Sequence, residues 1–258
     1  MKPKAFVFFD LDGTLLNADS KVDPEVADAL VRMKENGAVP FIATGRSPVE
    51  IKHILDSTAI DSFISLNGQY VQYEGQEVYR NPIPKEYLER LKQMTDEKEL
   101  ALSFYSSDKI RTTRHTKTIK NAYGFIHEDP PAIDPDFYKK EDIMMCLVVT
   151  EDKSLDEEFI EAFPEFSFYR NTPYSIDTIL EGHSKATGID KLVENLRAGD
   201  VPLYAFGDGP NDLEMLQKVD VAVAMDNGID EIKEAADYIT SSHTNGGIIE
   251  GLKKYDLI

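Results

Sequence analysis

Apolar runs that stop at a carboxylate or a glycine, each followed by a stretch of helical repeat, recur along most of this chain. The first is Ala5-Phe-Val-Phe-Phe9, five apolar residues of which three are aromatic. Such a run predicts a strand buried on both faces of a parallel sheet. A helix is expected over about 24–35, opened by Asp23-Pro24 and closed by Asn36-Gly37. A second apolar strand covers Val39–Ala43, a helix runs from about Pro48 to Ser57, and a third strand covers Ser62–Leu66, ending in Asn67-Gly68. Val71–Val78 alternates about Glu74-Gly75 and predicts a hairpin. The last third returns to the opening pattern: helix Lys185–Leu196, strand Leu203–Phe206, helix Asn211–Lys218 and strand Val219–Val223. A short helix near Ile229–Ala235, strand Tyr238–Thr240 and a final helix from Gly246 follow. Repeated β-α-β units call for a parallel sheet with helices on both faces.

The middle has another texture. From about Asn81-Pro-Ile-Pro84 to Gly182, aromatic-rich alternating segments such as Leu102–Tyr105 and Ser167–Tyr169 are joined by polar, proline-rich connections. This predicts a separate α+β module inserted into an α/β core, with the Pro-rich joint and Gly182 as hinges. The expected division is a core of residues 1–80 and 183–258 and an inserted module of 81–182.

Composition narrows the class. A hydrophobic fraction of 41% in 258 residues supports a soluble protein with a full core. No run approaches the ~20 apolar residues of a membrane span, and no basic-then-apolar signal segment opens the chain. The single cysteine, Cys146, rules out an internal disulfide and suits a reducing, cytoplasmic setting. The formal charge of −19, from 28 basic and 47 acidic residues, disfavours nucleic acid and anionic membrane as partners. The same field repels phosphate, so any anion site must be strongly positive locally.

Four segments carry candidate chemistry. Asp10-Leu-Asp12-Gly-Thr14 puts two carboxylates at a strand end, where open α/β sheets bind ligands. Paired carboxylates need a cation, a proton or a basic partner, although Asp-Gly also begins ordinary Asx turns. Thr44-Gly45-Arg46-Ser47-Pro48 sets a hydroxyl and free N–H groups before a predicted helix, which suits an anion or is simply a cap. Lys185 stands in the first turn of a helix, where a lone lysine opposes the dipole and is usually solvated. Gly207-Asp208-Gly-Pro-Asn211-Asp212 again leads from a buried strand into a helix, and is far more specific than a bare glycine loop.

In this order the four segments resemble the haloacid dehalogenase-like superfamily of phosphohydrolases, and more narrowly its Cof-type branch with a large α/β cap of the C2 type. The resemblance spans the whole chain, including the tail Asn245–Leu252. It implies a Rossmann-like, three-layer parallel-sheet core and an inserted cap that sets substrate specificity. It implies Asp10 as the nucleophile and Asp12 as general acid and base. Mg²⁺ would be held by Asp10, by the backbone carbonyl of Asp12 and by Asp208. Phosphate would be bound by the backbone at Leu11 and by Thr44, Gly45, Lys185 and Asn211. Arg46, Asp212 and Asn67 are candidates to support these groups or to touch substrate. The chain departs from the branch at Ala224-Met225-Asp226-Asn227-Gly228, where Ala-Met-Gly-Asn-Ala is common; this stretch is expected to lie near the site without supplying an essential ligand.

The implied activity is hydrolysis of small phosphomonoesters, sugar phosphates first, through an aspartyl-phosphate. A phosphatase for pyridoxal phosphate or flavin mononucleotide and a phosphomutase are alternatives of the same fold. A phospho-aspartate signalling domain is the alternative of another class, and does not need an acid two residues after the phosphorylated aspartate. In the inserted module, Arg111-Thr-Thr-Arg114-His115-Thr-Lys117 is a positive cluster that either contacts a second anionic group or, as the simpler account, is a solvated face.

Overall fold

The computed structural model describes residues 2–126 and 128–258. The chain divides into two compact units: the chain up to Arg46 with Glu50–Tyr79 and Ser184–Ile258, and Ser47–Val49 with Arg80–His183.

The first unit opens with β1 (Ala5–Phe9), α1 (Pro24–Glu35), β2 (Ala38–Ala43), α2 (Lys52–Ser57), β3 (Ser62–Ser65), β4 (Tyr70–Tyr73) and β5 (Gln76–Arg80). The second unit follows with α3 (Lys85–Glu97), β6 (Ala101–Tyr105), β7 (Ile110–Thr112), α4 (Lys117–Phe125), α5 (Phe137–Lys140), β8 (Met145–Val149), α6 (Leu155–Ala162), β9 (Phe166–Thr172) and β10 (Ser175–Leu180). The chain then returns to the first unit with α7 (Lys185–Leu196), β11 (Leu203–Gly207), α8 (Leu213–Lys218), β12 (Val221–Met225), α9 (Asp230–Ala235), β13 (Tyr238–Thr240) and α10 (Gly247–Lys254).

The eight-stranded sheet of the first unit runs β13-β12-β11-β1-β2-β3-β4-β5. Pairing is parallel from β13 to β3 and antiparallel from β3 to β4. This is the α/β core expected from the alternating pattern. Side-chain alternation separates its two layers of helices. Phe6, Phe8, Phe41 and Ala205 share a core with Ile189 and Leu192 of α7, Met215 of α8 and Ile232 of α9. On the other face Phe206 and Val223 lie against Gly251 of α10, so close that a Cβ there would be 2.4 Å from the Phe206 ring. Helix α1 packs beside α10 and buries Val26, Ala29, Leu30 and Met33, the i, i+3, i+4, i+7 stripe of an amphipathic helix. The strand order reverses at β1, which has β2 on one side and β11 on the other. That is the topological switch point, where the loops after the strands leave a crevice.

Two helices start later than the sequence suggests. The helix expected from Pro48 begins at Lys52, because Ile51 accepts the first helical bonds, from Ile54 and Leu55. The helix dipole expected beside Thr44-Gly45 is therefore not supplied there, and of the expected free N–H groups that of Thr44 donates to the Ile64 carbonyl at 2.9 Å and that of Arg46 to Thr44 Oγ1. The helix expected from Asn211 is split into a single tight turn over Pro210–Asp212 and then α8. The strand placed at Val219–Val223 shifts to Val221–Met225.

The second unit holds an antiparallel sheet in the order β7-β6-β8-β10-β9, with a core built on Leu91, Phe104, Val148, Phe159 and Ile176. Among the described residues no helix is long and apolar enough to cross a membrane. Cys146 lies on β8 with no exposed surface, and burial raises its thiol pKa. The native thiol is expected to react with an aromatic disulfide reagent at least about a hundredfold more slowly than in the urea-unfolded chain. Full labelling of the native protein within the mixing time would contradict this placement.

Candidate active site

The groups singled out in the sequence converge at the carboxyl ends of β1, β2 and β11, together with the first turn of α7. Asp10 follows β1 directly, and its N–H donates to the Phe206 carbonyl at 3.0 Å, fixing it at the border of β1 and β11. The chain then makes one wide turn, Leu15 N–H to Asp10 O at 3.1 Å and Leu16 N–H to Leu11 O at 2.9 Å. Gly13 turns with φ +84°, and a Cβ on it would lie 2.2 Å from Asp208 Oδ2. Only glycine lets this loop press against the Asp208 carboxylate. Thr14, whose hydroxyl had no role assigned from sequence, donates to Asp208 Oδ1 at 2.8 Å.

The loop after β2 is tied to the loop after β3. Leu66 N–H donates to Arg46 O and Asn67 N–H to Thr44 O, both at 3.1 Å, while Arg46 N–H donates to Thr44 Oγ1 at 3.1 Å. To make these bonds Leu66 and Asn67 adopt φ of 52° and 51°, a strained region for leucine. The Asn67 side chain is 3% exposed, and neither its Oδ1 nor its Nδ2 has a partner. It lies against Gly45, where a Cβ would be 3.1 Å from Nδ2. Gly68 then meets α7: a Cβ on it would stand 2.0 Å from the Ser184 carbonyl oxygen. The turn over Leu66–Gly68 therefore holds the Thr44 loop on one side and the start of α7 on the other.

That start carries Lys185, whose side chain is 0% exposed, so the solvated lysine that its position suggests is not what folds. Its Nζ donates to Asp10 Oδ1 at 2.5 Å and to Asp212 Oδ1 at 2.7 Å. Burial works against the Lys185 charge, yet Asp10 and Asp212 outweigh it and raise its pKa, so it is an ammonium. Asp212 Oδ2 in turn accepts the N–H groups of Asp208 and Gly209, each at 3.0 Å. Burial raises the pKa of Asp208, with the Thr14 bond pulling the other way. Asn211 sits in the turn between them, its carboxamide oxygen folded toward Gly209.

Carboxylate oxygens of Asp10, Asp208 and Asp212 lie within 4.8 Å of one another. An all-oxygen, anionic donor set suits a hard divalent cation. Asp212 accepts three hydrogen bonds, from Lys185 and from the Asp208 and Gly209 N–H groups, and is the most heavily engaged of the three, which leaves Asp10 and Asp208 the better placed to take a cation. The Asp12 carboxylate stands apart from this cluster. Its side chain is 60% exposed and pairs bidentately with Arg46, Nη2 to Oδ1 at 2.5 Å and Nε to Oδ2 at 2.9 Å. The positive cluster of the second unit is drawn into its own structure. Arg114 pairs with Asp96, the Arg111 guanidinium lies 5.8 Å from the centre of the Phe137 ring, and His115 Nε2 is 2.8 Å from the Pro131 carbonyl.

Three acids and one buried ammonium thus meet at the switch point of an open α/β sheet, where ligands of such sheets collect. The sequence profile of the haloacid dehalogenase-like hydrolases matches residues 7–252, and the chain belongs to that family. It is 37% identical over 254 residues to YkrA of Bacillus subtilis (strain 168), whose phosphatase designation is provisional, covering 98% of each chain. Among solved structures, a hypothetical protein of Geobacillus kaustophilus HTA426 superposes with a TM-score of 0.93 at 36% identity, over 99% of this chain and 100% of that one. The subclass IIB sugar phosphatase BT4131 superposes with a TM-score of 0.84 at 26% identity, over 98% and 100%.

Replacing Lys185 leaves Asp10 and Asp212 buried without their shared counter-charge. Lys185→Met is expected to lose about 3–5 kcal/mol of stability in urea titration at neutral pH without added cation. Adding Asp10→Asn to it should restore part of the loss. A single variant as stable as the wild type would show that the ammonium does not balance these acids.

Proposed function

We propose that this haloacid dehalogenase-like phosphatase hydrolyses small phosphomonoesters, sugar phosphates foremost, with Mg²⁺ and through an aspartyl-phosphate. The observation that carries the reading is the Lys185 ammonium shared by Asp10 and Asp212 within a carboxylate cluster that includes Asp208. An ammonium fixed beside a carboxylate nucleophile binds a phosphoryl oxygen while that carboxylate attacks. The sugar-phosphate class is supported by the likeness to BT4131.

Asp10 Oδ forms a bond to phosphorus as the ester P–O bond breaks, and Asp12 gives its proton to the departing alkoxide. Water then attacks phosphorus, Asp12 takes the water's proton, and the Asp10–P bond breaks to release phosphate. Asp12 serves both steps because the leaving group and the water occupy the same apical position in turn. Turning from Arg46 toward the reacting oxygen is what this role requires of Asp12. Thr44, the N–H groups of Gly45 and Leu11, Lys185 and Asn211 receive the equatorial oxygens. The buried, unpartnered carboxamide of Asn67 beside Gly45 belongs with this group. Asp10, the Asp12 backbone carbonyl and Asp208 would hold Mg²⁺, which when bound removes the repulsion between carboxylate and phosphate. Substrate choice is assigned to the module over residues 81–182.

Turnover of p-nitrophenyl phosphate is expected to require Mg²⁺ and to fall about 10³-fold or more in Asp10→Asn. Asp12→Ala should lose about 10²–10⁴-fold on alkyl phosphates such as sugar phosphates. The loss in the first step should be smaller for p-nitrophenyl phosphate, whose leaving group needs no proton. A panel of sugar phosphates, pyridoxal phosphate and flavin mononucleotide, read by phosphate release, decides the substrate class. A long-lived phosphoryl adduct with no turnover would overturn the phosphatase reading in favour of a signalling domain.

A further inference from the structure

Asn227, two residues beyond β12, reaches the loops that carry the proposed cation ligands. Its Nδ2 donates to the Gly13 carbonyl at 2.8 Å and lies 3.4 Å from Asp208 Oδ2. Its Oδ1 accepts from the His243 backbone N–H and lies 3.0 Å from His243 Nδ1. An amide oxygen only accepts, so Nδ1 carries the proton of this imidazole. Turning the carboxamide over would set its oxygen against a carbonyl and a carboxylate, and its NH₂ against the His243 backbone N–H. The network therefore fixes the orientation from both sides.

The segment holds the Asp208 backbone too. Ile229 N–H donates to Asp208 O at 3.1 Å, and a Cβ on Gly228 would be 3.1 Å from the Asp208 Cα. With Thr14 on Oδ1, the Asp208 carboxylate has a neighbouring donor at each oxygen. The 2.8 Å bond to Gly13 is the stronger of the two Asn227 makes, and it ties the Asp10–Thr14 turn to the Asp208 loop. These are the two segments whose spacing a shared cation must find.

We propose that Asn227, oriented by His243, is a positioning residue that sets the distance between the Asp10–Thr14 turn and the Asp208 carboxylate, and so sets affinity for the divalent cation. The inference rests on the reading of Asp10 and Asp208 as cation ligands. Hydrogen-bonded supports of metal ligands typically change affinity 10–100-fold, and the solvent-facing position of Asn227 points to the lower end.

The test is Mg²⁺ titration calorimetry on the whole protein, with circular dichroism to verify folding. Asn227→Ala is expected to weaken Mg²⁺ about tenfold. His243→Ala, at a half-buried position that touches Asn227 and not Asp208 by hydrogen bond, should weaken it less. The double variant should match Asn227→Ala within about twofold, because His243 acts through Asn227. Mg²⁺ affinity equal to wild type in both single variants would overturn the proposal. Independent, multiplying losses in the double variant would overturn the part given to His243. A wild-type protein that binds no Mg²⁺ would overturn the cation reading itself, an outcome distinct from unaltered variants.

Discussion

The buried ammonium of Lys185 is the constraint on which the polar end of this sheet depends. Asp10, Asp208 and Asp212 bring three carboxyl groups to one place, and Lys185 brings one ammonium. Two unit charges about 4 Å apart interact by about 4 kcal/mol at an effective dielectric of about 20. Burial and the neighbouring Asp212 raise the pKa of Asp10, and burial raises that of Asp208, so the acids are short of positive partners and a divalent cation would favour their ionised forms. Because Lys185 already bonds Asp10 and Asp212, the deficit falls on Asp208 and on the free oxygen of Asp10. That deficit supports the proposed placement of the cation between those two groups.

Placing a lysine there demands that helix and loops approach more closely than side chains allow. Gly68 admits the start of α7, and Gly13 admits the Asp208 carboxylate; a Cβ at either would collide within 2.2 Å. The strain at Leu66 and Asn67 has the same origin, since their left-handed turn is what lets the Thr44 loop and α7 share one support. Such strain persists only where the surroundings over-determine it. Here two backbone hydrogen bonds on one side and the packed start of α7 on the other do so.

Much of this was legible in the sequence, and what was not has a common cause. Apolar runs such as Ala5–Phe9 and Leu203–Phe206 announced the buried strands, and the carboxylates after them announced the site, because both signals are local. Lys185 was ambiguous for the opposite reason: its burial comes from Asp10, 175 residues away. The Thr14–Asp208 and Asn227–Gly13 bonds join equally distant segments, so no spacing along the chain could reveal them. The late start of α2 was hidden too, since a proline after serine reads as a helix opening whether or not the first bonds are accepted there. The Arg46–Asp12 pair lay within reach of the sequence only as two neighbours of one loop cluster, with nothing to show that they face each other.

The charge of the whole chain bears on how such a site works. A protein of formal charge −19 repels a phosphate ester at long range, which argues against an anion as its ligand if distance is ignored. At physiological salt the Debye length is about 8 Å, so most of that field is screened before the ester reaches the crevice. Within the last few ångströms the positive groups at hand are Lys185 and Arg46, whose guanidinium pairs with Asp12. The buried groups are screened least, and among them the acids outnumber the ammonium. On the proposed cation site, anion affinity would rise with cation occupancy, because the cation offsets the acids that repel the anion. In the proposed phosphatase, a cation would offset that excess of acid and so let a phosphate ester approach the Lys185 ammonium.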